Sequence, residues 1–167
     1  IAGVVERVGS NVKGSVSVGD RVFGCSLFGS YSTRVLVPAL HLRKIPLDYA
    51  FIQAAAIPAV SLTSLYALFL AGHYPNKSQF TNKAILIHSA AGGVGSMLVQ
   101  MSKILGLSPI VGVVGRTNKV EAAKALGCNV VIDKSRDDVW KEAKAAAPNG
   151  YATIMDSSGV ATLTESY

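Results

Sequence analysis

The stretch Ile85-Leu86-Ile87-His88-Ser89-Ala90-Ala91-Gly92-Gly93-Val94-Gly95 is where this chain is best equipped to bind a ligand. An apolar run leads into a turn of small residues, and a helical pattern opens behind it. Set against the Gly-x-Gly-x-x-Gly fingerprint, Ala90, Gly92 and Gly95 take the three glycine positions, with alanine replacing the first. A side chain at position 92 would hold a pyrophosphate away from the backbone, and glycine at 95 lets the helix pack closely on the strand. The first-turn N–H groups of such a helix lack helical partners and lie at the positive end of its dipole. The chemistry on offer is diphosphate binding. A glycine turn used only for packing is the plainer alternative, and the strand-turn-helix context favours the ligand.

The end of the next apolar run selects the dinucleotide. A carboxylate about 20 residues beyond the fingerprint would accept a ribose 2′-hydroxyl and give NAD. Here Ile110 to Val114 is followed by Gly115-Arg116-Thr117-Asn118-Lys119, and no acid occurs before Glu121. Arg116 and Lys119 can meet a 2′-phosphate, the arginine in bidentate fashion. As ordinary solvated residues at a helix start they would be disfavoured by the dipole. The pattern predicts NADPH rather than NADH.

The elements that must position these residues follow from punctuation and periodicity. From Lys83 onward short apolar strands (84–88, 110–114, 130–132, 152–155) alternate with helices (94–105, 118–126, 137–147), closed by Gly106, Gly127 and Pro148 with Gly150. That rhythm predicts a parallel sheet covered on both faces, built from βαβ units. A doubly wound sheet has about six strands in two halves, so only the first half and the start of the second are expected here. Residues 1–47 read as β, with a run at Ile1 to Val8, a short strand at Arg21 to Phe23, and a mixed Tyr31 to Val37 stretch before Pro38. Asp48 is placed to cap a helix over 49–56, and Pro58 to start a second helix over 59–71 that ends at Gly72. Leu62, Leu65, Tyr66, Phe69 and Leu70 form its predicted apolar stripe. The division predicted is a first domain over 1–59 and a second over 60–167.

Composition narrows the classes. Half of the 167 residues are hydrophobic and 16% are charged, which excludes disorder. The formal net charge is +6, but the lysines are scattered and not interleaved with aromatics, so nucleic acid is not expected as a partner. Tyr49 to Asn76 is uncharged and long enough to cross a bilayer. Its interruption by Pro58 and its polar Gln53, Ser61, Thr63 and Ser64 predict buried helices, with no integral membrane segment. Cys25 and Cys128 stand alone, and His41, His73 and His88 lack ligand spacing, so no metal site is expected. For His88 a local hydrogen bond at a strand end is expected. The chain lacks an initiator Met and opens within a strand pattern, which reads as a fragment of something longer. A reducing, cytoplasmic setting is expected.

Further segments join the glycine turn. Val18-Gly19-Asp20-Arg21-Val22-Phe23-Gly24, Pro38 through Ile45-Pro46, Ala54-Ala55-Ala56-Ile57-Pro58, Leu62-Thr63 with Tyr66-Ala67-Leu68, and Ala125-Leu126-Gly127 occur in a specific order and spacing. With them the chain resembles the zinc-free quinone oxidoreductase branch of the medium-chain dehydrogenase/reductase superfamily, near its zeta-crystallin and vesicle amine transport protein-like members. The resemblance covers essentially the whole chain. It implies part of a GroES-like β-barrel domain followed by an incomplete Rossmann doubly wound sheet, an α/β fold. It implies an enzyme that uses NADPH to reduce a quinone or an α,β-unsaturated carbonyl, with a homodimer formed through sheet strands beyond Tyr167. Thr63 would orient the nicotinamide, Gly92, Gly93 and Val94 would lie under the pyrophosphate, and Arg116 and Lys119 would meet the 2′-phosphate. Asp156 and Ser157, with Ser158, would border the ribose. The proton can come from solvent in this family, so no catalytic residue is named. Thr63-Ser64-Leu65 departs from the common Thr-Ala-Tyr, and Cys128 replaces a common alanine. The family's first strands and last third are absent from the chain, and so is the cysteine-rich lobe of the zinc-dependent relatives. A different class remains in view: an NADPH-binding adaptor, or an RNA-binding protein, without significant turnover.

Overall fold

Alternation along short strands of β-branched residues builds the second half of the molecule. The computed structural model describes residues 1–75 and 81–166. β4 (Ile85–Ile87), β5 (Ile110–Val114), β6 (Val130–Asp133) and β7 (Thr153–Met155) form one parallel sheet in the order β6-β5-β4-β7. The crossovers carry α2 (Gly93–Leu105), α3 (Val120–Leu126) and α4 (Val139–Ala146). Ile85, Ile87, Ile110 and Val114 join one core with Leu98 and Val99 of α2 and Ala123 of α3. Leu86, Val111, Val113 and Ile132 join a second core with Ala143 and Trp140 of α4. Because both faces are covered, every residue of β4 and β5 is buried, which is why these strands read as continuous apolar runs. The chain winds outward from β4 to β6, then returns to place β7 against the other edge of β4. The strand order reverses between β4 and β7, and in open α/β sheets the ligand crevice lies beyond the carboxyl ends at such a point.

The helix ends follow local chemistry. α2 stops at Gly106, whose φ of 81° suits glycine and whose N–H returns to the carbonyls of Lys103 and Ser102. α4 starts from Asp138, whose carboxylate accepts from the N–H groups of Trp140 and Lys141. The predicted start at Asp137 is therefore slightly early. Asp137 serves β6 instead, its carboxylate accepting from Asp133 N–H at 2.9 Å.

The first part of the chain carries a three-stranded antiparallel sheet of β1 (Ala2–Val4), β2 (Arg21–Gly24) and β3 (Leu42–Lys44). The Tyr31 to Val37 stretch is not a strand. The Ser32 hydroxyl donates to the carbonyls of Gly29 at 2.6 Å and Arg34 at 2.8 Å, so a local turn takes groups a ladder would need. The Arg21 guanidinium donates to the carbonyls of Leu47 and Tyr49 and lies 4.7 Å from the Phe51 ring centroid. It thereby fixes the approach to the long helix that follows.

That helix, α1 (Phe51–Leu70), corrects three expectations. It is continuous through Pro58 rather than two helices. Proline removes one donor to the carbonyl four residues back, and Pro58 is buried on the helix's inner face, where packing offsets that loss. Asp48 does not cap it: the helix begins later, and the Gln53 side chain accepts from Ala50 N–H at 3.2 Å. The predicted stripe is the exposed face, with Leu62, Leu65, Tyr66, Phe69 and Leu70 all between 37 and 67% exposed. The buried positions are instead Ala54, Pro58, Ser64 and Leu68. By length and apolarity α1 could cross a membrane, and 22% of its most apolar window is buried. Asn76, the end of the uncharged run, lies outside the described residues. By internal contacts the chain forms two compact units, Ile1–Val60 and Ser61–Tyr167.

Candidate cofactor site

The carbonyl of Ser89 organises the glycine turn. Ser89 leaves β4 with a positive φ of 54°, and its oxygen accepts from Gly92 N–H at 2.7 Å. A Cβ at Gly95 would stand 2.1 Å from that same oxygen, and one at Gly92 would stand 3.1 Å from it. Position 95 therefore excludes any side chain, which is the close helix-to-strand approach that the fingerprint anticipates. Ala90, at the first fingerprint position, is fully buried. It fits because Gly112 on β5 has no Cβ; one built there would lie 2.8 Å from the Ala90 methyl and 2.6 Å from Cys128 Sγ. Ala90 thus supports the turn from below. Burial pushes the Cys128 thiol up to about 11, consistent with a packing role.

Above the turn, Gly92 is the N-cap of α2 and no side chain caps it. The first-turn N–H groups of Gly93, Val94 and Gly95 are those a helix start leaves for an outside acceptor. Ser64 of α1, fully buried, donates its hydroxyl to the Val94 carbonyl at 3.0 Å and holds this helix start in place. Sequence reasoning missed Ser64, since a serine in mid-helix carries no signal of its own. Thr63, next to it on α1, is exposed.

Between the ends of β4 and β5 lies a cleft of about 140 Å³, lined among others by His88, Gly92, Gly115, Lys119, Lys134 and Ser158. Among the described residues no carboxylate lines it. Of the sequence-predicted residues, Gly92, Lys119 and Ser158 reach its wall. Arg116 does not line it and is exposed. The Asp156 carboxylate is engaged by its own loop, accepting from Ser158 N–H at 2.7 Å, Gly159 N–H at 3.1 Å, Thr162 Oγ1 at 2.7 Å and Ser166 Oγ at 2.9 Å. Burial pushes its carboxyl up, but these hydrogen bonds outweigh that and bring it down to about 2. Ser157 is exposed beside it, and Ser158 is the residue of this loop that lines the cleft.

His88 forms part of the cleft wall and differs from expectation. It is 3% exposed, its ring is tilted against Trp140 at 5.8 Å, and its Nε2 has no partner among the described residues. Burial lowers its basicity, the Asp156 charge opposes that, and the Lys134 charge reinforces it. A buried orphan nitrogen beside an anion-friendly turn fits a cleft that a polar ligand completes.

Known proteins share this sequence pattern and fold. Residues 93–167 match the family described as zinc-binding dehydrogenase. The structure of a quinone oxidoreductase from Pseudomonas syringae superposes with a TM-score of 0.82 at 38% identity, covering 99% of this chain and 49% of that one. In sequence and fold the chain is similar to quinone oxidoreductases. The Escherichia coli quinone oxidoreductase complexed with NADPH gives a TM-score of 0.82 at 32% identity, over 99% of this chain and 49% of that one. A 2-haloacrylate reductase of a Burkholderia species is 34% identical over 99% of this chain and 49% of its own length. The chain spans about half the length of these relatives. Despite the matched family's description, no three His, Cys, Asp or Glu side chains gather as a metal site among the described residues.

Proposed function

We propose that the chain is the dinucleotide-binding part of a cytoplasmic, NADPH-dependent reductase acting on a quinone or an α,β-unsaturated carbonyl. The observation that carries this reading is a helix start without a side-chain cap, opening on a cleft lined, among the described residues, by two lysines and no carboxylate. A diphosphate would accept from the N–H groups of Gly93, Val94 and Gly95, with Gly92 giving it access to the backbone. Lys119 would face the adenosine-ribose end. When bound, the cofactor supplies a hydride, and the protein orients it and excludes water. By family resemblance Thr63 is assigned to the nicotinamide end; Ser64, held against Val94, fixes that part of α1. Support also comes from a similar structure complexed with NADPH and from a similar 2-haloacrylate reductase, whose substrate name describes a conjugated alkene.

The test is titration of the full-length protein with NADPH and NADH, followed by reduction assays on quinones and enones. Tighter NADPH binding with turnover of either substrate class is expected. Gly92→Val should abolish binding while the unfolding transition persists, because its Cβ lies near one carbonyl rather than inside the core. Unchanged affinity in that variant would remove the pyrophosphate from this turn.

A further inference from the structure

We propose that Ser64 is a positioning residue of the cofactor site, whose hydroxyl strengthens and aims the Gly95 N–H toward a bound diphosphate. This rests on the proposed cofactor reading and adds to it a side chain that acts through another group. Ser64 is fully buried on α1, and its hydroxyl donates to the Val94 carbonyl at 3.0 Å, across thirty residues of chain. Val94 is the second residue of α2. Its carbonyl and the Gly95 N–H belong to one planar peptide unit, so what the oxygen accepts is felt at the nitrogen.

The local geometry leaves that N–H to a ligand. The Ser96 N–H donates to the Gly92 carbonyl at 2.8 Å and so enters the helical ladder, while the Gly92 N–H is taken by the Ser89 carbonyl at 2.7 Å. An anion at this helix start is left the N–H groups between them, those of Gly93, Val94 and Gly95. Position 95 is also where α2 is pressed against the turn, since a Cβ there would collide with the Ser89 oxygen. The turn therefore fixes the Gly95 end of the Val94–Gly95 peptide, and Ser64 fixes its oxygen. A hydrogen bond accepted at a carbonyl in a dry setting polarises the peptide and makes its N–H a better donor, by roughly 10–30% per bond. Thr63-Ser64-Leu65 is the segment in which this chain departs from the pattern it otherwise resembles, and the hydroxyl is what an alanine there would lack.

The experiment uses the full-length protein and its Ser64→Ala and Ser64→Cys variants; the thiol keeps the side-chain volume and is a weak donor. Dissociation constants for NADPH and NADH, urea midpoints, and the Gly95 amide shift under selective nitrogen-15 glycine labelling are measured on each. Both variants should weaken both cofactors by the same factor, roughly twofold to fivefold, the consequence of losing that polarisation at one charge-assisted bond. The Gly95 amide should move upfield in the unliganded variants, and its displacement by NADPH should shrink. A lower urea midpoint with both affinities and the Gly95 shift unchanged would overturn the proposal and leave Ser64 a packing residue. Weakening in Ser64→Ala but not in Ser64→Cys would overturn it too, by assigning the effect to lost volume. So would a loss confined to NADPH, because the diphosphate is common to both cofactors. Wild-type protein that binds neither cofactor would overturn the cofactor reading and the proposal with it.

Discussion

Asp156 shows how a residue placed at a site can serve it indirectly. It follows β7, where an acid could meet a ribose, yet its carboxylate gathers Ser158, Gly159, Thr162 and Ser166 and so shapes the loop that brings Ser158 to the cleft. Its folded-state pKa is depressed to about 2 from an ordinary 3.8, so its contribution is complete above 3.8 and lost as pH falls toward 2. The stability gap between wild type and Asp156→Asn is therefore expected to close across that acid window and stay constant above it. Urea midpoints of both proteins through the window would show it, and a gap independent of pH would contradict the loop-organising role. The glycine fingerprint and Lys119 were legible because their chemistry is written at fixed offsets along one βαβ unit. Lys134 was not, because its partner position lies on the neighbouring strand and only the β5–β6 register, Val114 opposite Asp133, brings it to Gly115.

Strands and crossover helices were legible wherever one local signal dominated: β5 begins and ends as the apolar run does, and α2 ends at the glycine that stops it. α1 was misread because proline and large apolar residues are strong local signals that packing reversed. A helix that approaches its neighbours through Ala54, Pro58 and Ser64 leaves Leu62, Tyr66 and Phe69 outward, and hydrophobicity alone selects the wrong face. The same close packing explains the departure from the glycine fingerprint. Ala90 on the turn is matched by Gly112 on β5, with Cys128 as the third wall. Gly112→Ala is expected to destabilise the fold by about 1–3 kcal/mol through overpacking. Combining it with Ala90→Gly and Cys128→Ala should recover part of that loss, since the three sites share one space. Thermal or urea unfolding of the single and triple variants measures it, and strictly additive losses would refute the shared contact.

Over the whole chain the charge of +6 is modest and spread out, but its effect depends on where it faces. A surface reader of nucleic acid needs a basic stripe following a backbone. Here two lysines converge instead on a cleft sized for a small ligand. That distinction has a measurable consequence. Lys119 and Lys134 are exposed, so mobile ions screen their attraction for a phosphate, with a Debye length falling from about 10 Å at 0.1 M to about 3 Å at 1 M salt. On the proposed reading a pyrophosphate would be held largely by backbone N–H groups and fixed dipoles at the start of α2, which salt weakens less than contacts between exposed charges. NADPH differs from NADH by one phosphate, which on that reading would face the exposed lysines. Raising salt from about 0.05 M to 0.5 M should therefore weaken NADPH several-fold more than NADH. Isothermal titration of the full-length protein at each salt concentration measures it. Parallel salt slopes for the two cofactors would mean that the 2′-phosphate does not meet these lysines, and that the positive charge of the chain serves something other than cofactor choice.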